Sequence, residues 1–194
     1  MTLNNDQHYI NKVKEGDTNS FAILVDNYKD MVFSLALKIM RNREEAEEVS
    51  QDTFIKAFRS LHSFKGDSKF STWLYKITYN NCMDRTKRIS RSYNAQTIDT
   101  VVENKIESSE SILDSIERKE RAKLIEQCLE ELPEEERLIL WMFYYQELSL
   151  KEIIDVTSYT QANLKVKLHR ARKKLLNIVQ YRLEPEMINH YGRK

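Results

Sequence analysis

The stretch SLKEIIDVTSYTQANLKVKLHRARKKLL, Ser149 to Leu176, carries the pattern on which the fold turns. Ser149 and Glu152 stand at capping-box spacing, so the stretch opens a short helix running to about Val156. "TSYT" then makes a turn, and Thr160 is placed to cap a second helix. In that helix Leu164, Leu168, Ala171 and Leu175 recur at helical spacing and form a narrow buried stripe. Short helix, tight turn and basic helix together read as a helix-turn-helix.

The second helix carries Lys165, Lys167, Arg170, Arg172, Lys173 and Lys174 and no acid between Leu164 and Leu176. A solvated helix face usually mixes signs, because opposite charges four residues apart attract. Nothing on this helix neutralises its bases. Duplex DNA offers one phosphate charge per ~1.7 Å of axis, and a basic helix in the major groove releases counterions along it.

Upstream, a module begins near Arg118. Leu124, Cys128, Leu129 and Leu132 give its first helix an apolar stripe. Pro133 stops that helix and suits the first position of the next, whose first turn holds Glu134, Glu135 and Glu136. Leu138, Ile139, Trp141, Met142 and Phe143 are its expected core. Before this module, residues 92–117 carry six acids and one base, are rich in Ser, Thr and Asn, and show weak periodicity. They read as a mobile acidic linker.

A first module precedes the linker. A short helix is expected near Gln7–Glu15 and a long one over Asn19–Arg41, with Phe21, Leu24, Val25, Tyr28, Val32, Leu35 and Ile39 on one face. A helix over Glu44–His62 has Ala46, Val49, Ile55, Ala57, Phe58 and Leu61 as its apolar side and an acidic face early on. The loop "SFKGDSKFS" follows, and Ser71 or Thr72 is placed to cap a helix over Trp73–Ile89. That helix ends in "RTKRISR", where Arg85, Lys87, Arg88 and Arg91 stand without an acid among them. Phe64, Phe70, Trp73, Tyr75 and Tyr79 surround Lys65, Lys69 and Lys76. Helical spacing favours a core role for such aromatics. Aromatics interleaved with lysines also suit single-stranded DNA, which needs stacking faces and a positive field.

The whole is an all-α chain of two helical domains. With Gly 3 and Pro 2 in 194 residues, tight hairpins are scarce. Cys82 and Cys128 are far apart and read as reduced, buried thiols. There is no apolar run of transmembrane length and no signal core at the N-terminus, so a soluble, cytoplasmic protein without membrane insertion is expected. The sequence holds no metal-ligand cluster, phosphate-cradling Gly loop or nucleophile–base pair. Neither enzymatic activity nor a cofactor or metal is expected.

"EEAEEVSQDTFIKAFRSLHSF", "FKGDSKFSTWLYKITYNNCMDRTKR", "LPEEERLILWMFYYQELSLKEII" and "LKVKLHRARKKL", in this order, resemble bacterial RNA polymerase sigma factors of the extracytoplasmic-function (group IV) subfamily. The resemblance covers about Ser20–Arg91 and Lys119–Val179. It implies sigma region 2 over 1–91, a linker over 92–117, sigma region 4 over 118–181, and a short tail over 182–194. The expected function is promoter-specific transcription initiation with core RNA polymerase, reading and helping to melt promoter DNA. By resemblance, Glu48, Gln51 and Asp52 meet the clamp coiled coil of the polymerase. The minus-10 element falls to Phe64, Lys65, Ser68, Lys69, Phe70, Ser71, Thr72, Lys76, Asn80, Lys87, Arg88 and Arg91, and Asp84 restrains the neighbouring bases. The minus-35 element falls to Thr160, Asn163, Lys165, Val166, Lys167, His169, Arg170 and Lys173. Arg172, Lys173 and Lys174 face phosphate or the polymerase flap, and Leu138–Tyr145 forms part of the flap surface. Promoter DNA, core polymerase and an anti-sigma factor are the implied partners, with a monomer when free.

Three positions depart from the family pattern. Ser158 stands where a turn glycine is frequent, Val166 where a small polar residue is common, and Asn163 where threonine is usual. The alternative is a polymerase-independent helix-turn-helix regulator whose first module senses or dimerises.

Overall fold

The computed structural model describes residues 3–92 and 122–191, with side chains over 6–89 and 122–182. The expected linker beyond Ser92, the side chain of Arg91 and the side chains after Arg182 lie outside the described residues. The described residues are helical and fall into two compact units.

The first unit contains α1 (Leu3–Lys14), α2 (Ser20–Met40), α3 (Arg43–Ser60), a 3-10 turn (Leu61–Ser63) and α4 (Phe70–Ser92). Helix α2 ends because Arg41 takes a left-handed backbone (φ 54°) and its N–H donates to the Leu37 carbonyl. Asn42 then caps α3, its side-chain oxygen accepting from Glu45 N at 3.0 Å. Glu44 and Glu45 sit in that first turn, where the helix dipole favours negative charge. Leu24, Val32, Leu35, Ala36, Ala57, Leu61 and Leu74 are fully buried and form the core. Helix α1 lays Ile10 and Val13 onto it. The Tyr28 hydroxyl donates to the nearly buried Asp6 carboxylate at 2.5 Å. Burial and that neighbouring carboxylate raise the phenol's pKa.

Two sequence expectations change in this unit. Helix α4 begins at Phe70, so Ser71 and Thr72 lie inside its first turn rather than at its cap. The reason is tertiary, because Phe70 is itself core and is already helical where it packs. Ile55 and Phe58, expected on the buried side of α3, are 48% and 37% exposed. The buried side of α3 is narrower than expected and consists of Ala46, Val49, Thr53 and Ala57.

The second unit contains α5 (residues 122–130), α6 (Glu134–Tyr144), α7 (Leu150–Thr157) and α8 (Gln161–Tyr191). Cys128, Leu129 and Leu132 are buried, as are Leu138, Ile139, Leu140 and Met142 of α6. Leu164, Leu168 and Ala171 are buried as the periodicity predicts, and Leu175 is partly buried. Pro133 occupies the N-cap (φ −51°, ψ 140°), one position earlier than predicted. Phe143 and Trp141 are only half-buried. The largest surprise is Arg137, which is fully buried and donates to Glu130 Oε2 at 2.6 Å. Its position follows a helical period, but an arginine gives no sequence signal for burial.

The capping box forms. Glu152 N donates to Ser149 Oγ, and the Glu152 carboxylate accepts from Ser149 N at 2.9 Å. Helix α7 stops at Ser158, whose φ of 62° is left-handed. The frequent glycine is absent there, and the serine carries a conformational cost of about 1–2 kcal/mol. Thr160 caps α8, its hydroxyl accepting from Asn163 N at 3.2 Å.

Candidate nucleic-acid interface

In the first unit the loop between the 3-10 turn and α4 rests on an aromatic nest. Phe64, Phe70 and Trp73 have ring centroids 5.2–5.7 Å apart, and Tyr28 packs edge-on against Phe70 at 5.4 Å. Such pairs add about 0.5–1.5 kcal/mol each beyond burial. Phe64 and Phe70 are about 5% exposed and Thr72 is buried, so these three shape the loop and present no stacking face. Lys14 of α1 fixes the loop entrance, donating to the Phe64 carbonyl at 2.7 Å. Gly66 turns the chain with φ 82°, which only glycine adopts freely. Lys65, Lys69, Lys76 and Asn80 are exposed, while Ser68 and Ser71 are partly so.

Along α4, Asn81 is buried and bridges to α3. Its amide donates to Thr53 Oγ1 at 3.0 Å and its oxygen accepts from Lys56. The neighbouring Asn80 faces out. Lys87 and Arg88 are exposed. Arg85, which shares the same acid-free run of sequence, is held by α3. It contacts Glu45 and Glu48, each at 2.5 Å, and the Glu45 hydrogen bond is the chief cause of its raised pKa. Asp84 lies in a shallow groove with Lys56, Asn81, Arg85 and Arg88.

The acidic face of α3 is solvent-facing. Glu48, Gln51 and Asp52 are exposed, and Glu48 keeps most of its surface despite its contact with Arg85. Ile55 and Phe58 continue the same face by one and two helical steps. Sequence reasoning missed these two because apolar residues at helical spacing read as core.

In the second unit α8 exposes Asn163, Lys165, Val166, His169, Arg170 and Lys173, with Thr160 exposed just ahead. Val166 is 48% exposed, so an apolar side chain stands in the middle of a charged face. Lys167 is drawn aside. Its Nζ lies 2.6 Å from Glu135 Oε2 of α6 and 5.2 Å from the Tyr159 ring centroid, and the Tyr159 hydroxyl donates to the same carboxylate. The Lys167 hydrogen bond, then that of Tyr159, holds the Glu135 carboxyl below its ordinary value. Lys174 pairs with Glu136 at 2.8 Å, and Arg172 stands over the rings of Phe143 and Tyr144. The acids of α6 that neutralise two bases of α8 were visible in the sequence, but their pairing was not.

Among the described residues no cluster of His, Cys, Asp and Glu is arranged to hold a metal ion. No helix among them is long and apolar enough to cross a membrane.

Comparison with known proteins gives the two units their identity. The Sigma-70 region 2 family model matches residues 24–92, and the Sigma-70 region 4 model matches residues 122–175. The chain is 33% identical over 172 residues to the ECF RNA polymerase sigma factor SigW of Bacillus subtilis (strain 168), spanning 86% of this chain and 92% of that protein. It is 30% identical over 188 residues to the RNA polymerase sigma-H factor of Pseudomonas aeruginosa, spanning 93% and 96%. The fold is shared with the sigma factor RpoE of Bartonella quintana, solved with the anti-sigma factor NepR, at a TM-score of 0.68 and 17% identity over 84% of this chain and 98% of that one. The region 2 match disfavours the polymerase-independent regulator. The chain belongs to the extracytoplasmic-function RNA polymerase sigma factors, which direct promoter-specific initiation of transcription.

Proposed function

We propose that the two units divide the work of initiation between polymerase docking, minus-10 DNA and minus-35 DNA. The reading is carried by one observation: on α8 the exposed bases lie opposite a buried stripe of Leu164, Leu168 and Ala171, which fixes which side meets a ligand. Lys165, Arg170 and Lys173 face duplex DNA, with Thr160, Asn163, Val166 and His169 beside them. Bidentate contacts from lysine or arginine to guanine contribute about 1–3 kcal/mol of discrimination. The exposed Val166 offers an apolar contact to a thymine methyl group.

The first unit holds the minus-10 element through Lys65, Lys69, Lys76 and Asn80, with Ser68 and Ser71 at the loop and Lys87, Arg88 and Arg91 on the backbone. Unstacking a base costs a few kcal/mol, offset by contacts in the loop. The buried Phe64, Phe70 and Thr72 keep that loop in shape. Glu48, Gln51 and Asp52 dock to the clamp coiled coil of core polymerase, and the half-exposed aromatic end of α6 contacts the flap. The protein acts by binding, in the cytoplasm, with no covalent step or cofactor. An anti-sigma partner is proposed by analogy with the RpoE–NepR complex. Residues 92–117 act as an acidic linker in the positive channel of the polymerase.

Run-off transcription with core polymerase tests the assignment. A promoter-specific transcript is expected only when this chain is present. Asp52→Lys is expected to weaken core binding and spare minus-35 binding. Lys165→Ala or Arg170→Ala is expected to do the reverse. The same defect from both kinds of change would refute the division of labour.

A further inference from the structure

The six bases of Leu164–Leu176 do not share one environment. Successive helical residues are about 100° apart. Lys165, Arg170 and Lys173 therefore fall within about 140° of arc on α8, away from the buried stripe. None of the three has a partner among the described residues. Lys167, Arg172 and Lys174 flank the stripe, and each is engaged from within the unit. Glu135 and Tyr159 take Lys167, Glu136 takes Lys174, and the rings of Phe143 and Tyr144 take Arg172.

Lys167 is the telling case, because only about one quarter of its side chain is exposed. A DNA phosphate reaching it would have to break a 2.6 Å ion pair and lift the ammonium off an aromatic ring. It would also leave the Glu135 carboxylate beside the phosphate, a repulsive pairing. The Tyr159 hydroxyl holds the other Glu135 oxygen, so the carboxylate does not simply turn away.

We propose that Glu135 is a positioning residue of the minus-35 contact: with Tyr159 it withholds Lys167 from DNA, leaving Lys165, Arg170 and Lys173 as the duplex-facing charges. The proposal rests on α8 being the duplex-facing helix. It makes the number of phosphate contacts on α8 smaller than its number of bases. It also places a negative charge on one flank of the helix, which disfavours rotation of that flank toward the DNA backbone.

Salt dependence tests this directly, because each phosphate contact contributes about 0.9 to the slope of log K against log salt concentration. The probe is the full-length chain with a short duplex of mixed sequence, its binding followed by fluorescence anisotropy over a salt series. Lys165→Ala and Lys173→Ala are each expected to lower the slope by about 0.9. Lys167→Ala is expected to leave the slope unchanged. Glu135→Gln is expected to raise it by about 0.9, and adding Lys167→Ala to Glu135→Gln to restore the wild-type slope. The proposal is overturned if Lys167→Ala lowers the slope as Lys165→Ala does, or if folded Glu135→Gln leaves it unchanged. If Glu135→Gln does not fold, the Lys167→Ala comparison decides alone. A slope untouched by both Lys165→Ala and Lys173→Ala would sink the duplex-facing reading of α8 and this proposal with it. That pattern differs from one in which those two lower the slope and Lys167→Ala lowers it as well.

Discussion

The loop before α4 and the turn before α8 position polar residues by opposite means. The loop is shaped from below, by a nest of buried and partly buried rings drawn from three stretches of chain and by a lysine of α1 holding one of its carbonyls. The turn is shaped locally, by a capping box, a left-handed serine and a threonine cap within a dozen residues. The face that its helix exposes then follows from the helix period, and contacts from α6 sort the charges along that face. A loop of the first kind depends on distant packing, so damage far from it reaches it. A turn of the second kind depends on its own sequence, on one buried stripe and on the single hydrogen bond from Tyr159 to Glu135.

Core truncations should break this contrast most strongly. The sequence holds two tryptophans, Trp73 in the first unit and Trp141 in the second, so each unit carries its own fluorescence reporter. Phe70→Ala is expected to cost the first unit about 3–5 kcal/mol, and Leu168→Ala the second about 2–5 kcal/mol. Urea unfolding of variants retaining one tryptophan should show each change only in the unit that contains it. A Phe70→Ala effect on the Trp141 signal would mean that the units are not separate.

Lys14→Met is expected to cost about 1–2 kcal/mol, since a charged donor to the Phe64 carbonyl is lost. It should raise amide exchange in the loop and leave the α7–α8 turn untouched. Ser149→Ala removes the side-chain half of the capping box and is expected to cost about 1 kcal/mol, read as a lower melting temperature of the second unit.

The smallest expected effect is a pH dependence. The folded-state pKa of Glu135 lies below the ordinary 4.5. Its pairing therefore stabilises the second unit above that value and is lost as pH falls through the lowered folded pKa. The pair is partly exposed, so the difference between wild type and Glu135→Gln should be under about 1 kcal/mol. In Trp141-monitored urea midpoints it should disappear in acid. A wild type less stable than Glu135→Gln near neutral pH would mean the carboxylate destabilises the fold.

These expectations also mark what a sequence discloses. The leucine stripe of α8, the Ser149–Glu152 box and the Thr160 cap were legible because each depends on residues within one or two turns. The Phe64 and Phe70 rings were ambiguous because core and stacking surface share the same spacing. Ile55 and Phe58 were misplaced because a period reports a face and not what covers it. The Arg85–Glu45 and Lys167–Glu135 pairs join residues 40 and 32 positions apart, and no local pattern announces such partners. Most of the helical architecture could be read from periodicity, while the sorting of charges could not.

The Lys14 tether has a practical consequence for grafting. Helix α1 covers the core with Ile10 and Val13 and reaches the Phe64 carbonyl from its last turn. A chimera that imports this loop into another sigma factor, without Leu3–Lys14, would import the letters and leave behind their support. The smallest transplantable segment is thus discontinuous, joining the first helix to a loop fifty residues downstream.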